Sequence, residues 1–132
     1  MIKQHFLKSI VLLFRESRRK TPIVISLKTV EREFGEPAAS QSIKSPKTAY
    51  FNLRDLLGKP LNHAIVKKFH ERYPYYKIKE DEVTKTIYFQ HDSETTYTPE
   101  ELLAMFLEFA KEIASDFAGN YHNLLLFKQK ER

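Results

Sequence analysis

The sequence predicts one domain of mixed α/β class, with strands near the amino terminus and a long helix towards the carboxyl end. Three observations lead to this class. The apolar runs at residues 10–14 and 23–27 are rich in β-branched side chains, which favour strands. In three later segments apolar side chains recur at helical spacing. The chain has 132 residues, 42% of them apolar, which suffices for one core but not for two domains.

The first elements are predicted strands. Residues 9–14 form a bulky apolar run bounded by charge, which is typical of a buried strand. A second β-branched run follows Pro22 over residues 23–28, and the polar stretch 28–33 continues as a turn and sheet edge. Residues 38–43 favour a short helical turn.

A helix is predicted over Thr48–Leu57, where Gly58 and Pro60 end the pattern. Asn62 can cap a further helix, which Pro74 ends. The apolar stripes of the two helices are Ala49, Tyr50, Leu53, Leu56 and Leu57 in the first, and Ile65, Val66, Phe69 and Tyr73 in the second.

A hairpin and a capped helix complete the chain. Residues 75–79 and 84–90 predict two strands joined by the charged turn 80–82, with little core of their own. Thr98-Pro99-Glu100-Glu101 is a capping box with proline at the first helical position. The helix that follows should run for five turns to Gly119, with more than half of its circumference buried. Its apolar stripe comprises Leu102, Phe106, Phe109, Ile113 and Phe117, widened by Leu103, Met105, Ala110 and Ala114.

Composition excludes several kinds of site. The chain has no cysteine, so it has no disulfide, no cysteine-bound zinc and no thiol nucleophile. Its glycines, Gly35, Gly58 and Gly119, stand more than twenty residues apart, whereas phosphate loops need clustered glycines. We therefore expect no self-contained nucleotide site. The longest apolar run has five residues, while a membrane span needs about twenty.

Histidines and acids offer weak catalytic candidates. His63 and His70 lie seven residues apart, whereas a zinc-binding helix of the protease type has its histidines four apart, so we interpret them as a solvated helix face. Most acids fall in predicted turns or caps rather than in a pocket that could separate their pKa values. They are Glu80, Asp81, Glu82, Glu100 and Glu101.

The net charge of +5 leaves nucleic-acid binding as a minor alternative. Basic residues at 15–20, with Lys67 and Lys68, could contact phosphates, and Tyr73, Tyr75 and Tyr76 could stack on bases. Acids at 80–82, 100–101 and 108–116 interrupt any continuous basic stripe, so solvated faces explain the same charges. The apolar amino-terminal strands, with few elements to cover them, indicate part of a larger domain.

Four blocks of residues identify a family resemblance. They are Glu16–Pro22, then Phe34–Ala39 with Ser45–Lys47, then Leu56–Lys59, and finally Tyr97–Met105. In this order they resemble the amino-terminal part of the ATPase domain of the seventy-kilodalton heat-shock protein superfamily, over about residues 8–119. The amino-acid sequence of the first two blocks is most similar to that of the hypoxia up-regulated (large glucose-regulated) branch of endoplasmic-reticulum chaperones.

The resemblance implies a partial actin-like ATPase domain, made of strands of the first lobe plus its outer subdomain with a long carboxyl-terminal helix. Residues 1–14 would be a divergent amino terminus with the first strand, residues 15–119 the partial nucleotide-binding domain, and residues 120–132 a divergent tail. The family's two phosphate loops, adenosine pocket and second lobe fall before Lys8 or after Gly119, so the chain looks like a fragment.

The same comparison assigns one candidate catalytic residue. Arg54 aligns with the catalytic lysine of the family. Arginine keeps the positive charge but not the compact ammonium geometry. Its neighbour in the usual basic pair becomes Asp55. No cofactor-binding or metal-binding residue is assigned.

The function implied by the resemblance is that of an ATP-dependent folding chaperone of the endoplasmic reticulum lumen. Its partners would be unfolded client proteins and co-chaperones or other heat-shock chaperones, with no nucleic acid and no membrane. ATP and magnesium belong to the complete domain, and we expect this chain alone to bind neither and to be inactive. The alternative is a non-catalytic protein–protein interaction module derived from the outer subdomain. The chain carries no convincing signal peptide.

Overall fold

The structure, a computed structural model, describes residues 21–28 and 30–130, with side chains up to residue 116. Within them the fold is mixed helix and sheet, as predicted, with six short strands and four α-helices. The described residues divide into two compact units, one formed by Pro22–Leu107 and a second that contains residues 108–130. The predicted strand at 9–14 lies outside the described residues. The predicted segments 1–14, 15–119 and 120–132 stay a prediction.

The first sheet has three antiparallel strands in the order β2-β1-β3. Each strand is two residues long: β1 is Ile25–Ser26, β2 is Glu33–Phe34 and β3 is Ala49–Tyr50. Ile25 pairs with Phe34 on one side and with Tyr50 on the other, so the predicted strand after Pro22 is central but shorter than expected.

Helix α1, Glu36–Lys44, packs against this sheet. It begins at Gly35, whose φ of 69° lies in the left-handed region that favours glycine. Pro37 stands in the first turn, where its missing N–H costs no hydrogen bond. Ala38 is completely buried, because its small side chain lets the helix approach the sheet. The predicted helical turn at 38–43 is thus a nine-residue helix.

The predicted helix over Thr48–Leu57 is wrong in its first half. A short 3₁₀ helix over Pro46–Thr48 leads directly into β3, and only Leu53–Leu56 forms an α-helix, α2. Asn52 separates strand from helix with a φ of 56°, a conformation that asparagine tolerates better than most residues. The apolar spacing suited a helix, but pairing with β1 satisfies the backbone of Ala49–Tyr50 instead.

Helix α3, Ala64–Arg72, follows the predicted stripe and buries Val66 and Phe69. Its amino-terminal cap is His63 rather than Asn62. The Nδ1 atom of His63 accepts a hydrogen bond from the N–H of Ile65 at 3.2 Å. The ring nitrogen thereby satisfies one of the donors left open at a helix start.

The second sheet is antiparallel in the order β4-β5-β6. Strands β4, Ile78–Glu80, and β5, Ile87–Gln90, form the predicted hairpin, and β6, Thr96–Tyr97, adds a third strand that was not predicted. The hairpin was expected to have little core of its own. Phe89 of β5 is nevertheless buried, because its ring packs against Phe69 of α3 and Tyr50 of β3.

Helix α4, Pro99–Lys130, begins at the predicted cap, where the N–H of Glu101 donates to Thr98 Oγ1 at 3.1 Å. It does not end at Gly119 as predicted, because a glycine inside a helix costs only about 1 kcal/mol and good helix formers follow it. The buried face is also narrower than predicted: Leu102 and Phe106 are buried, whereas Ala110 and Ala114 are exposed. Among the described helices none carries an apolar stretch long enough to cross a membrane.

Candidate functional site

Arg54, the predicted catalytic position, stands on the outer side of α2. Leu53 and Leu56 are completely buried and fix the inner side of this single turn. The Arg54 side chain is 83% exposed and that of Asp55 is 57% exposed, with 3.9 Å between Arg54 Nε and Asp55 Oδ1. A solvated pair at this distance contributes little energy, so the guanidinium can reorient towards a ligand.

A solvent-open cleft of about 500 Å³ adjoins Arg54. Three parts of the chain contribute its walls: residues 22–24, Ser42 of α1, and residues 51–55. Among the described residues that line it, Arg54 is the single cation and Asp55 the single acid. A nucleotide triphosphate with magnesium needs several converging donors and carboxylates. The residues of this cleft therefore do not form such a site by themselves.

The loop after α2 is fastened to two distant elements. The N–H of Gly58 donates to Glu100 Oε1 at 2.6 Å, and the N–H of Leu61 donates to Glu80 Oε2 at 2.8 Å. The N–H of Ile87 in turn donates to the carbonyl of Lys59 at 3.1 Å. The block Leu56–Lys59 spans the end of α2 and the start of this loop, and through Gly58 and Lys59 it fixes α2 against the start of α4 and the second sheet.

An aromatic cluster lies behind β3 and buries its tyrosine. The ring centre of Tyr50 lies 5.0 Å from that of Phe89 and 5.5 Å from that of Tyr76. Phe69 of α3 stacks on Tyr76 at 5.4 Å. The Tyr76 hydroxyl donates to the carbonyl of Ala49. Burial raises the pKa of both Tyr50 and Tyr76 above the ordinary tyrosine value.

One polar contact joins the two sheets. The hydroxyl of Tyr50 lies 2.7 Å from His91 Nδ1, directly after β5, and the ring of His91 packs on Tyr97 with centres 5.6 Å apart. Sequence reasoning missed this pair, because Tyr50 was placed on a helix and His91 had no assigned role. The two residues are separated by 41 positions, and no spacing signal in the sequence could have revealed the contact.

The predicted turn and cap acids do bind backbone. Asp81 Oδ1 accepts from the N–H groups of Val83 and Thr84, both at 2.8 Å. These bonds hold the pKa of Asp81 below its usual value. Asp92 does the same with the N–H groups of residues 94 and 95, which lowers its pKa as well. Both carboxylates thus order turns rather than form an acid–base pair.

The remaining candidates are not brought together. His63 serves as the cap of α3, while His70 is exposed on the same helix. In the described part of the chain no three histidine or acidic side chains are grouped so that they could hold a metal ion. Tyr76 is buried and Tyr73 packs edge-on against Phe51 at 4.7 Å, so these rings belong to the aromatic cluster rather than to a platform for bases. The basic residues at 15–20 lie outside the described residues.

Comparison with known proteins identifies the family. The model of the Hsp70 protein family matches residues 7–123. Curated proteins named Hypoxia up-regulated protein 1 are similar over 108 residues, or 82% of this chain: 44% identical in Xenopus tropicalis, 41% in Danio rerio and 40% in Homo sapiens. The chain spans 17% of the length of the Xenopus tropicalis protein and 11% of the length of the other two.

The family model covers all four sequence blocks, and the matches confirm the resemblance on which Arg54 was chosen. They also confirm the predicted fold class, since the Hsp70 family has the actin-like ATPase fold. The role of Arg54 itself stays a prediction. Because the family model matches most of its length, the chain belongs to the Hsp70 protein family of chaperones.

Proposed function

We propose that this chain is the amino-terminal part of the nucleotide-binding domain of an ATP-dependent folding chaperone of the hypoxia up-regulated type. Family membership and the names of its relatives support the chaperone role. The structural observation that carries the proposal is Arg54, which stands on the exposed side of α2 beside an open cleft. A cation at this position is accessible to phosphate oxygens that other parts of a complete domain would position.

ATP and magnesium would be held by the complete domain and not by this chain alone. The described cleft offers one guanidinium and one carboxylate, which together lack the converging donors that triphosphate binding requires. Catalysis of phosphoryl transfer depends mainly on positioning and on charge stabilisation. A chain with one of the charged groups is therefore expected to be inactive.

Calorimetry of the full chain with magnesium ATP tests this part of the proposal. We expect no micromolar binding, because Arg54 alone cannot hold the triphosphate. The matched control is Arg54→Ala, which should behave identically. Micromolar affinity that Arg54→Ala abolishes would contradict the proposal and would show that the chain builds its own nucleotide site.

We further propose that the chain acts in the endoplasmic reticulum lumen and, as part of its parent, on unfolded client proteins and co-chaperones. The similarity to the hypoxia up-regulated branch supports this location. In the test, the endogenous protein is captured with an antibody to residues 98–117. Its intact mass and the subcellular fraction in which it is found are then measured. A mass far above 15.6 kDa in the lumenal fraction is expected. A protein of about that mass in the cytosol would contradict both claims.

A non-catalytic interaction module is the second candidate. It is favoured by the complete burial of Ile25, Leu53 and Leu102 within Pro22–Leu107, which gives this unit a core of its own. Hydrogen exchange of the isolated chain distinguishes the two readings. Slow exchange in β1 and β5 would show a self-supporting module, whereas fast exchange throughout would show a part that depends on the rest of its domain.

A further inference from the structure

The surface of α3 differs in charge from the rest of its unit. Residues 22–107 contain 12 basic and 12 acidic side chains and are neutral overall, with seven of the acids in residues 80–101. In contrast, α3 carries Lys67, Lys68 and Arg72 against the single acid Glu71, and all four are exposed. Segregated charges of this kind produce a local positive potential on a neutral body.

Two of these cations border a small cleft between α2 and α3. The cleft measures about 200 Å³, and Leu56, Phe69 and Tyr73 contribute its apolar lining. Lys68 and Arg72 stand one helical turn apart and so lie along the same side. Ligand pockets for drug-sized molecules measure about 300–1,000 Å³, so this cleft suits one apolar side chain rather than a cofactor.

The cleft has one pre-positioned charge and one accessible apolar wall. The guanidinium carbon of Arg72 lies 5.5 Å from the ring centre of Tyr73, a cation–π contact that orients its N–H donors. Ile65, also part of the lining, is 41% exposed. Asp55 is the one acid in the described part of the lining, and its charge is partly offset by Arg54 at 3.9 Å.

We propose that this α2–α3 cleft docks an acidic peptide segment of a partner protein. One bulky apolar side chain of the segment enters the cleft beside Ile65, and flanking carboxylates bind Lys68 and Arg72. Bonds between a charged donor and a carboxylate are stronger than neutral ones, and complementary charge raises the association rate. The inference requires no nucleotide and is independent of the proposed ATPase role.

Fluorescence anisotropy on the full chain provides the test. The probe is a fluorescein-labelled peptide of sequence Glu-Asp-Leu-Asp-Glu, and its neutral counterpart is Gln-Asn-Leu-Asn-Gln. We expect the acidic peptide to bind about tenfold more tightly, which corresponds to a few weak ion pairs. The difference should shrink as salt is raised, since exposed pairs are screened.

Matched charge reversals locate the binding surface. The double substitution Lys68→Glu with Arg72→Glu should weaken binding of the acidic peptide about tenfold or more. The control, Lys77→Glu with Lys79→Glu, changes the net charge equally at exposed positions in and beside β4, and should weaken it less than about threefold. All four side chains are exposed, so the variants should keep the thermal midpoint of the parent chain.

Three outcomes would overturn the proposal. Equal loss in both double variants would indicate general electrostatic attraction, and equal affinity for the neutral peptide would remove the need for Lys68 and Arg72. Dimers in sedimentation that Lys68→Glu disrupts would show that a second copy of the chain occupies the cleft. A third variant, Ile65→Ser, should weaken the leucine peptide but leave an alanine version unchanged, and the absence of that difference would refute the apolar anchor.

Discussion

Tyr50 and Arg54 stand four residues apart, yet they belong to regions of opposite character. Tyr50 is 2% exposed and its ring packs against those of Tyr76, Phe89 and His91. Its hydroxyl is hydrogen-bonded to Nδ1 of His91. Arg54 is 83% exposed, and in the described part of the chain its ionic neighbour is the solvated Asp55. The turn at Asn52, with its φ of 56°, redirects the chain between the two.

The difference separates stability from ligand contact within one short segment. The rings of the aromatic cluster pack against one another inside Pro22–Leu107, so substitutions there should change the stability of the fold. On the outer side of α2 the side chains of Arg54 and Asp55 are exposed, so changes there should affect binding alone. Three substitutions and one change of pH test this distinction.

The largest effect is expected for Phe89→Ala. Phe89 is buried among the rings of Tyr50, Phe69 and Tyr76, and its removal leaves a cavity. We expect a loss of about 3–5 kcal/mol in the free energy of unfolding, measured by urea titration. Tyr88→Ala, on the half-buried opposite face of β5, is the control and should cost clearly less. A loss below about 1 kcal/mol for Phe89→Ala would contradict the cluster as the core.

Tyr76→Phe should have a smaller effect on the same region. The ring remains, but the carbonyl of Ala49 loses the hydroxyl that binds it in the interior. An unpaired buried acceptor costs about 1–3 kcal/mol. The urea midpoint should therefore fall, while Tyr88→Phe should leave it unchanged. Equal midpoints for Tyr76→Phe and the parent chain would show that this hydroxyl is solvated.

Alkaline pH should destabilise the cluster before it affects the outer side of α2. Burial raises the pKa of Tyr50 and Tyr76 above 10.0, so the unfolded state releases their protons first. Their contribution to stability is complete below about pH 10 and is lost as pH rises above it, by at most about 1.4 kcal/mol per pH unit for each tyrosine. Thermal midpoints measured from pH 8 to 11 should fall less steeply in Tyr50→Phe with Tyr76→Phe. Parallel slopes would refute the assignment.

The smallest effect on stability is expected for Arg54→Ala. Its side chain is exposed and its pair with Asp55 is solvated, so the free energy of unfolding should change by less than about 0.5 kcal/mol. The measurement is the same urea titration, with Asp55→Ala as the matched variant. A loss above about 1 kcal/mol would mean that the guanidinium has a structural partner and that the two regions are not separate.

Local signals in the sequence were enough to predict several elements. The cap at Thr98 and Pro99 depends on residues within one turn, and the α3 stripe correctly placed Val66 and Phe69 in the core. The hairpin followed from alternating apolar residues on either side of a charged turn. In each case the deciding interactions connect residues that are near one another in sequence.

Elements decided by distant contacts were not predictable in this way. Ala49–Tyr50 pairs with a strand more than twenty residues earlier, which overrode a helical pattern. Arg54 was found through a family resemblance, and the spacing of Leu53 and Leu56 explains its exposure. Its cleft could not be predicted, because residues 22–24 and Ser42 reach it from other elements.

The two carboxylates that hold the loop after α2 also impose an order of events during synthesis. Glu80 follows Leu61 by 19 residues and Glu100 follows Gly58 by 42, so the chain makes α2 well before its anchors. At about 5–20 residues per second, Glu100 is added roughly two to nine seconds after Arg54. Until then the N–H of Gly58 lacks its carboxylate partner, although Leu61 can already bond to Glu80. The turn that carries Arg54 is thus made before the last of its anchors, and a ribosome that stalls before Glu100 would leave the loop after α2 without one of its two carboxylate bonds.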